Sequence, residues 1–577
     1  MSSQTHRYMG AEVPLTTLPN GARTNADALE RLARTSYLAP IADRVAPGVT
    51  VFGGDGFLNL TLIEGDDGLI VYDTGETLED GERFLRQIRT VSDKPIVAVL
   101  YSHSHYINGT TALVGNGAGV KIIGHPQVNA NVAAGAAGTV FPETMPLQVS
   151  RTLQQFNHFV PAQGETAAVG AAVRFGRAGV LPVDTPVQDG ECMTIAGVRM
   201  QFFVRHGSDT DDCLTVHLPD RGVVLNNLLW PFMPNIYTLR GSKFRDPREW
   251  RDGLRVIRDL APEVLVTTHA RALRGRTAVR ETLDAVIDAL NLIFDQTLRG
   301  ILRGLGPDDL RGFVRLPPHL AECPNLAEIY GEISHYGPYL YHHALGWFDG
   351  DAASINPLPP LEQARRLVDA MGGARAVLQR ARAAFADREF AWALQLVSYL
   401  HRLDPSDHDA RRLKADVMEQ MGIVTPAYTI RSWYVSQARA LRGEIRIPRL
   451  QFPGPAVLAQ TPPAMSIEQY RVRVDPLRAA DIDTVLALSI ADRGVRHALH
   501  QRRGVVAFVA DPDRHPVAPA VEVETGYDNW LRFWSCKRTL EAFLTEARVT
   551  RGTPDAARAF FAVFDWYAPE ENTIVPD

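Results

Sequence analysis

The stretch that decides the fold runs from Pro95 to Gly109 and reads PIVAVLYSHSHYING. Its first half is a continuous apolar run rich in β-branched residues, which predicts a buried strand. The run ends in His103 and His105. An HxH pair at a strand end lets two imidazole rings converge on one ion, an arrangement that zinc and iron both accept. Alone, the pair also fits an exposed loop, so its meaning depends on the flanking sequence.

On either side of this stretch, up to about residue 275, short runs typical of β-strands alternate with segments whose apolar residues have helical spacing. GVTVFGG, NLTLIEG and DGLIVYDTG, within residues 48–75, predict strands separated by Gly and Asp turns, and the last ends in Asp73. The same pattern of a strand followed by a loop recurs in VKIIGH, VRMQFFVRHGSD, DCLTVHLPD, GVVLNNLLW and EVLVTTH. The pattern predicts an α/β sandwich whose loops collect at strand ends.

The remainder of the chain changes character twice. Residues 276–445 are predominantly helical, with Ala and Leu at i, i+3 and i+4 in ARAVLQRARAAF and its continuation. A Pro-rich stretch centred near residue 455 predicts a linker. The last 110 or so residues predict a small α+β domain, with an amphipathic helix over PLRAADIDTVLALSIADR and strands at GVVAFVAD and APAVEVET.

Composition excludes several classes of partner. A formal charge of -6 gives no electrostatic reason to expect nucleic acid. Four scattered cysteines contain no CxxC pair, so neither a disulfide framework nor a cysteine zinc site is indicated. No apolar run is long enough for a membrane span, and the N-terminal residues lack the apolar core of a secretory signal. The expected compartment is the cytoplasm.

Several motifs resemble one family in their order along the chain. VYDTG, HSH, HGSDTDD, LNNLLWPFMPNIYTLRG and VTTHARALRG are similar to the alkylsulfatase branch of the metallo-β-lactamase superfamily. HYGPYLYHHALGWFDGDAA and MGGARAVLQRARAAF resemble the dimerisation domain of that family. The resemblance covers roughly residues 45–570. It implies an αββα metallo-β-lactamase catalytic domain at 1–275, an all-helical dimerisation domain at 276–445, and a linker with a sterol-carrier-like α+β domain at 446–577. It also implies a homodimer.

The metal loop departs from the family pattern. The family reads HxHxDH there and binds two zinc ions, whereas Ile107 stands in place of the metal Asp and Asn108 in place of the third His. Isoleucine cannot ligate, and asparagine is a weak neutral ligand beside a carboxylate. Asn227 falls near the position of a bridging glutamate. We therefore expect one tightly held divalent metal, with zinc favoured and iron or manganese as alternatives.

The resemblance also implies which residues hold that metal. His103, His105 and Asp209 correspond to one complete set of metal ligands, and His269 corresponds to the remaining histidine of the second set. His206, three residues before Asp209, is a further imidazole, interpreted as a surface or supporting group.

Substrate-binding candidates follow from the same comparison. The segment NIYTLRGSKFRDP implies that Asn235 and Arg240 hold a sulfate group, and a guanidinium fork suits a tetrahedral oxyanion. His335 is either a general acid at the leaving oxygen or a packed histidine in an aromatic cluster. The segment LNNLLWPFMPNIY contains the apolar residues Trp230, Phe232 and Met233. Their side chains either line a substrate pocket or belong to the ordinary core.

Three functions remain open from the sequence. The first is a metal-dependent hydrolase that cleaves a sulfate ester or related ester of a small organic substrate, with an apolar chain as one option. The second is a mononuclear non-haem iron enzyme that uses the two histidines and Asp209 for a redox reaction. The third is a non-catalytic binding protein with a degenerate site.

Overall fold

A computed structural model describes residues 12–134, 139–567 and 573–574. The described residues form two compact units. One contains residues 12–129 and 151–447, and the other contains residues 130–150 and 448–574 apart from the undescribed positions. Residues 130–150, which were predicted to lie in the first domain, thus belong to the unit formed by the C-terminal part. The predicted boundaries at 275 and 446 stay predictions.

The described residues between 12 and 302 contain fifteen strands and seven α-helices, two of which include residues of the 130–150 segment that belongs to the other unit. The strands are β1 (Leu15–Thr17), β2 (Arg23–Asn25), β3 (Ile41–Ala46), β4 (Val49–Gly53), β5 (Leu60–Glu64), β6 (Leu69–Tyr72), β7 (Ile96–Leu100), β8 (Lys121–Gly124), β9 (Thr185–Pro186), β10 (Cys192–Ile195), β11 (Val198–Phe203), β12 (Thr215–Leu218), β13 (Val223–Asn226), β14 (Val264–Thr267) and β15 (Leu273–Arg274). The helices are α1 (Ala26–Thr35), α2 (Leu78–Arg89), α3 (Thr110–Val114), α4 (Val128–Ala133), α5 (Met145–Gln155), α6 (Pro247–Asp259) and then α7 (Arg276–Leu302).

Two sheets form the sandwich that the sequence predicts. One has the order β3-β4-β5-β6-β7-β8-β9, and its strands from β6 to β9 are parallel. The other has the order β10-β11-β12-β13-β14-β15. Alternate residues of both sheets meet in one apolar core, including Ile70, Leu100, Phe202 and Val216. Because side chains of a strand alternate between faces, the outer faces need separate cover.

Helices provide that cover. Val224 and Leu265, on the outer face of the second sheet, belong to one core with Leu254 of α6 and Leu283 of α7. On the first sheet, α2 is the crossover between parallel strands β6 and β7 and buries Phe84. The layers are therefore helix, sheet, sheet and helix, which confirms the predicted αββα class.

The rest of the larger unit is helical, as predicted. Its helices are α8 (Pro307–Phe313), α9 (Pro318–Ala321), α10 (Tyr336–Leu345), α11 (Pro360–Ala370), α12 (Ala374–Ala386), α13 (Phe390–Leu403), α14 (His408–Val424) and α15 (Tyr428–Leu441), followed by the short strand β16 (Ile447–Pro448). Val377, Leu396 and Leu413 mark a shared apolar core of α12, α13 and α14. None of the helices in the described part of the chain has the length and apolar content needed to cross a bilayer.

The C-terminal unit is a five-stranded sheet of order β19-β18-β17-β20-β21 with an aromatic-rich core. Its elements are α16 (Pro455–Leu458), α17 (Pro463–Tyr470), β17 (Asp483–Ile490), β18 (Val495–Arg502), β19 (Val505–Val509), β20 (Val521–Thr525), α18 (Tyr527–Trp534), α19 (Leu540–Glu546), β21 (Arg548–Arg551), α20 (Pro554–Phe561) and β22 (Thr573–Ile574).

One prediction for this region was wrong. The helix expected over residues 476–493 is instead the central strand β17, since a strand buried on both faces is apolar throughout and its period cannot be told from that of a helix. The predicted Pro-rich linker contains the short helix α16, and α17 begins at its end. Each begins at a proline, which fits the first helical position because its missing N–H has no intrahelical partner there.

Candidate metal centre

The two histidines of the HxH pair converge with Asp209. His103 Nε2 lies 3.1 Å from His105 Nδ1, and His105 Nδ1 lies 3.4 Å from an oxygen of Asp209. The three residues offer ligand atoms that all lie within 4.8 Å of one another. Within the described ranges, this is the one such group of three His, Cys, Asp or Glu side chains. Two imidazoles and a carboxylate are a donor set that fits a divalent transition metal.

Burial and neighbouring groups set the protonation states of His103 and Asp209. His103 is fully buried, and burial lowers its pKa to about 3, so that its ring is neutral. Burial by itself raises the pKa of Asp209, but the hydrogen bond with His105 and the charge of the Arg245 guanidinium hold it well below its usual range. Neutral imidazole and ionised carboxylate are the protonation states that bind metal.

Neighbouring polar groups orient both ligands. Asn227 Nδ2 donates to Asp209 Oδ1 at 2.9 Å, and Ser208 Oγ lies 3.2 Å from the same oxygen. Ser102 Oγ lies 2.8 Å from His103 Nδ1. Hydrogen bonds of this kind fix the ring orientation of a metal-binding histidine and the position of a carboxylate. Asn227, which stands near the family's bridging glutamate, here positions Asp209.

His269 lies beside the cluster without joining it. Its ring centre is 6.5 Å from that of His103. His269 Nδ1 lies 2.8 Å from the Phe57 carbonyl oxygen, which only accepts, so Nδ1 carries the proton and Nε2 has a free lone pair. Nε2 is buried and has no hydrogen-bonding partner among the described residues. This orphaned acceptor is a further sign that the site fits a cation.

Asp73 joins the two loops that carry the histidines. Its Oδ1 accepts from the Ser102 backbone N–H at 2.9 Å, and its Oδ2 accepts from Thr268 Oγ1 at 3.2 Å. Asp73 itself has a φ of 66°, in the left-handed region that Asp tolerates better than most residues. Asp73, in the Asp-Thr-Gly after β6, therefore forms hydrogen bonds with the residues directly before His103 and His269 and fixes the two loops relative to each other.

Ile107 and Asn108, the two residues that depart from the family's metal-loop pattern, are packed or hydrogen-bonded within the protein. Ile107 is 1% exposed, and its carbonyl oxygen accepts from Thr110 Oγ1 at 2.7 Å. Asn108 Nδ2 donates to the Glu76 carbonyl oxygen at 3.0 Å. An alkyl side chain and an amide nitrogen provide no metal ligand, so this loop contributes His103 and His105 alone.

Two other polar residues near Asp209 in sequence are engaged elsewhere. His206 Nδ1 lies 2.9 Å from Glu249 Oε2, and Lys243 forms an ion pair with Asp211 at 3.1 Å. Neither belongs to the three-residue cluster.

The predicted oxyanion-binding residues lie on the loop between β13 and α6. Arg240 is partly buried, and its backbone N–H donates to Gln155 Oε1 at 3.0 Å. Asn235 is buried and in contact with Arg245, whose Nη1 donates to the Asn235 carbonyl oxygen at 2.7 Å. Arg245 was not among the site residues predicted from the sequence. Its signal was the second arginine in the segment that begins at Asn235, spaced five residues after Arg240.

His335 lies outside the three-residue cluster, in the short 3-10 turn Ile333–His335. Its Nδ1 is 3.4 Å from Arg311 Nη1, and it lines a cavity of about 660 Å³. Much of the apolar lining comes from α13 and α14, including Phe390, Leu394, Met418 and Met421, and Tyr237 and Leu239 add to it from the loop after β13.

The apolar residues of LNNLLWPFMPNIY are buried in the core of the larger unit. Trp230, Phe232 and Met233 are at most 6% exposed. The Trp230 ring lies 4.7 Å from the His269 ring, while Phe232 stacks on Tyr330 at 5.1 Å. These residues are core, and Trp230 at the same time forms an aromatic wall against His269.

An αββα sandwich with a His/His/Asp cluster at its strand ends defines a metallo-β-lactamase-type protein, and residues 53–106 match the metallo-beta-lactamase superfamily. Residues 307–444 match the family described as alkyl sulfatase dimerisation. The chain is 33% identical over 480 residues to a linear primary-alkylsulfatase of Pseudomonas, which covers 79% of this chain and 89% of that protein. It is 30% identical to an (R)-specific secondary-alkylsulfatase of Pseudomonas, over 78% of this chain and 69% of that protein.

A solved structure agrees. The stereoselective inverting sec-alkylsulfatase Pisa1 from Pseudomonas superimposes with a TM-score of 0.79 at 26% identity, over 98% of this chain and 90% of that one. The chain belongs to the alkylsulfatase family, which confirms the resemblance seen in the sequence. The superfamily match ends at Tyr106, directly before the two departures at Ile107 and Asn108.

Proposed function

We propose that this chain is a metal-dependent hydrolase that cleaves the sulfate ester of an organic substrate. The observation that supports this best is the convergence of His103, His105 and Asp209 in a member of the alkylsulfatase family. A divalent cation, zinc in this proposal, would supply Lewis acidity there and lower the pKa of a bound water. His269, with its orphaned Nε2, is the proposed additional donor.

The chain's own residues have distinct proposed roles. Arg240 binds the sulfate oxygens through its guanidinium group, and Asn235 contributes its amide from the same loop. Trp230 and Tyr106 flank His269, with ring centres at 4.7 and 5.4 Å, and limit the access of water. His335 supplies the proton that the leaving alcohol oxygen needs.

The metal assignment is tested by elemental analysis of the double variant His103→Ala with His105→Ala. We expect it to lose bound metal and sulfate-ester turnover while its circular dichroism stays native. His206→Ala is the matched control, since His206 pairs with Glu249 outside the cluster. Full metal content in the double variant, or metal loss in the control, would contradict the assignment.

The roles of Arg240 and His335 are separable by kinetics. Arg240→Ala should raise KM for a sulfate ester by a factor equivalent to about 1.5–3 kcal/mol, the value of a charged hydrogen bond. His335→Ala should lower kcat for alkyl sulfates more than for nitrophenyl sulfate, because a good leaving group needs little protonation. An equal effect on both esters would remove His335 from the reaction.

Two histidines and one carboxylate are also the ligand set of non-haem iron oxygenases, so a redox enzyme is the second candidate. Turnover of sulfate esters with zinc, manganese and iron, with and without air, separates the two. Oxygen-independent hydrolysis that requires Arg240 supports the hydrolase. Strict dependence on iron and oxygen would overturn it.

A further inference from the structure

A second pair of facing histidines lies on the C-terminal unit, apart from the candidate metal centre. His515 Nε2 lies 3.0 Å from His500 Nδ1, the ring centres are 5.0 Å apart, and the ring planes meet at 77°. In the metal loop, the rings of His103 and His105 have nitrogens 3.1 Å apart, centres 4.7 Å apart and planes at 72°. The fold therefore repeats the geometry of the HxH pair with two histidines that are 15 residues apart in sequence.

The sheet of the C-terminal unit places the groups of this second pair on one face. His500 of β18 lies directly opposite Val485 of β17, and Asp483 precedes Val485 by two residues, so the side chains of His500 and Asp483 share a face. His515 follows the short turn Pro512–Arg514 after β19. The loop after β19 therefore brings His515 onto the face of the sheet that carries His500 and Asp483.

The hydrogen bonds of His500 decide which of its ring nitrogens can bind a metal. His500 is 6% exposed, and its Nε2 lies 2.9 Å from Asp483 Oδ1. An ionised carboxylate only accepts, so Nε2 of the neutral ring carries the proton and the lone pair of Nδ1 faces His515. A metal-binding histidine commonly donates its second ring N–H to a carboxylate, which orients the ring and makes the ligating nitrogen more basic. His500 already has such a carboxylate, on the side away from His515.

The spacing of the two nitrogens fits two ligands of one ion. With metal–nitrogen bonds of about 2.0–2.1 Å, two imidazole nitrogens are about 2.9 Å apart at a right angle and about 3.3 Å apart at a tetrahedral angle. The 3.0 Å between His500 Nδ1 and His515 Nε2 lies between these values. His515 is partly exposed, so the tautomer with its proton on Nδ1 can turn the Nε2 lone pair to the ion, and water can fill the remaining positions.

We propose that His500 and His515 bind a divalent transition metal ion that accepts imidazole, such as Cu²⁺, Ni²⁺ or Zn²⁺, while Asp483 orients His500. The ion takes the place of the proton between the two rings and joins the loop after β19 to β18. Two neutral ligands attract a cation less than a set that includes a carboxylate, so this site fills after the candidate metal centre. The inference is independent of the proposed function.

The test is calorimetric titration of the full chain carrying His103→Ala with His105→Ala, which lacks the ligands of the first centre. We expect one ion per chain for Zn²⁺ and for Cu²⁺, with Cu²⁺ bound more tightly, and no binding of Mg²⁺ at the same concentrations. The electron paramagnetic resonance spectrum of bound Cu²⁺ should show splitting from two nitrogen ligands. Absence of binding for both Zn²⁺ and Cu²⁺, or equal binding of Mg²⁺, would overturn the proposal.

Two further substitutions in the same background locate the ion. His515→Gln should weaken Zn²⁺ binding at least about tenfold and leave one nitrogen in the Cu²⁺ spectrum, because it removes one of the two ligands. His497→Gln is the matched control, since His497 lies on the same strand and its Nδ1 lies 2.9 Å from the Ala510 carbonyl oxygen. Unchanged affinity in His515→Gln, or an equal loss in His497→Gln, would contradict the assignment.

Asp483→Asn separates support of the metal from support of the His500 ring. Asparagine keeps an acceptor oxygen for His500 Nε2 but has no charge, so we expect about tenfold weaker Zn²⁺ binding at an unchanged stoichiometry of one ion. Unchanged affinity would contradict the role proposed for Asp483.

A titration of the unaltered protein gives the same answer if the double variant does not fold. After its first ion is bound, the unaltered protein should take up one further Zn²⁺ that its His515→Gln variant does not. A further ion that persists in His515→Gln, or none in the unaltered protein, would overturn the proposal.

Discussion

At the scale of single residues, our expectation for the number of bound metals rests on the two residues that depart from the family pattern. Ile107 is buried and Asn108 binds the Glu76 carbonyl, so the positions that differ from the family serve packing and loop geometry. His103, His105 and Asp209 keep their possible ligand atoms within 4.8 Å of one another. One tightly bound metal per chain is the stoichiometry that we expect.

Restoring the family pattern tests this expectation. Ile107→Asp with Asn108→His should raise the metal content from one towards two per chain, because a carboxylate and an imidazole replace groups that do not ligate. Without metal the variant should lose on the order of 2–4 kcal/mol in free energy of unfolding, since it buries an unpaired carboxylate. Two metals of equal occupancy in the unaltered protein would contradict the argument.

A second residue, Glu76, is expected to make the free energy of unfolding of the protein depend on pH. Burial raises its pKa to about 8 from an ordinary value of 4.5, against the weaker effect of a hydrogen bond from the Arg174 backbone. The folded state therefore favours the protonated acid. The cost of ionising it inside the protein appears as pH rises from about 4.5 to about 8.

Glu76→Gln should consequently be neutral at pH 4.5 and stabilising at pH 8. At about 1.4 kcal/mol per pKa unit, the gain at pH 8 is at most on the order of 4 kcal/mol. Urea unfolding of both proteins across this range measures the difference, with Glu281→Gln on an exposed helix face as control. A difference that does not grow with pH would disprove the assignment.

At the scale of elements, a buried arginine on α15 links the helical region to the sandwich region through hydrogen bonds. Arg431 is 1% exposed and donates to the carbonyl oxygens of Arg23, Glu165, Ala167 and Gly422 at 2.8 to 3.3 Å. Three of these carbonyls, those of Arg23, Glu165 and Ala167, belong to segments remote in sequence. Burial lowers the pKa of Arg431 to about 10, so it remains charged at neutral pH.

Arg431→Met should lower the free energy of unfolding by roughly 3–5 kcal/mol, because it leaves several buried carbonyls without a donor. Arg375→Met, on an exposed position of α12, is the control and should change stability by less than about 0.5 kcal/mol. Guanidinium unfolding followed by circular dichroism measures both. Equal stability of the two variants would show that the hydrogen bonds of Arg431 do not stabilise the contact between the two regions.

At the scale of the whole molecule, an apolar surface lies within the region that matches the dimerisation family. Trp347 is 66% exposed, and further exposed apolar side chains follow it at Leu345, Ile355, Leu358 and Leu361. Exposed apolar residues clustered along one segment are typical of an interaction surface. We propose that this segment contacts a second copy of the chain.

Sedimentation should therefore show a homodimer at micromolar concentration. Trp347→Asp with Leu361→Asp should weaken association at least about tenfold, because charges replace apolar side chains at the interface. Leu477→Asp, an exposed leucine of the C-terminal unit, is the control and should leave the dimer intact. A monomeric unaltered protein would refute the prediction, and an unaffected dimer in the double variant would place the interface elsewhere.

The sequence alone determined the features that repeat locally or stand in motifs. Alternating β runs and helices predicted the αββα sandwich, and the strand-end HxH with Asp209 and His269 named the residues that surround the candidate site. Residues 476–493 were misassigned because β17 is buried on both faces, and an apolar run without alternation has no period that separates strand from helix.

The tertiary structure alone decided which polar groups face one another. That Asn227 orients Asp209, that Asp73 joins the two histidine loops, and that Arg245 lies buried against Asn235 all depend on contacts between segments distant in sequence or on a folded loop. Motif spacing carries no information about such contacts, because burial and hydrogen-bond geometry arise only when the loops at the strand ends are packed together.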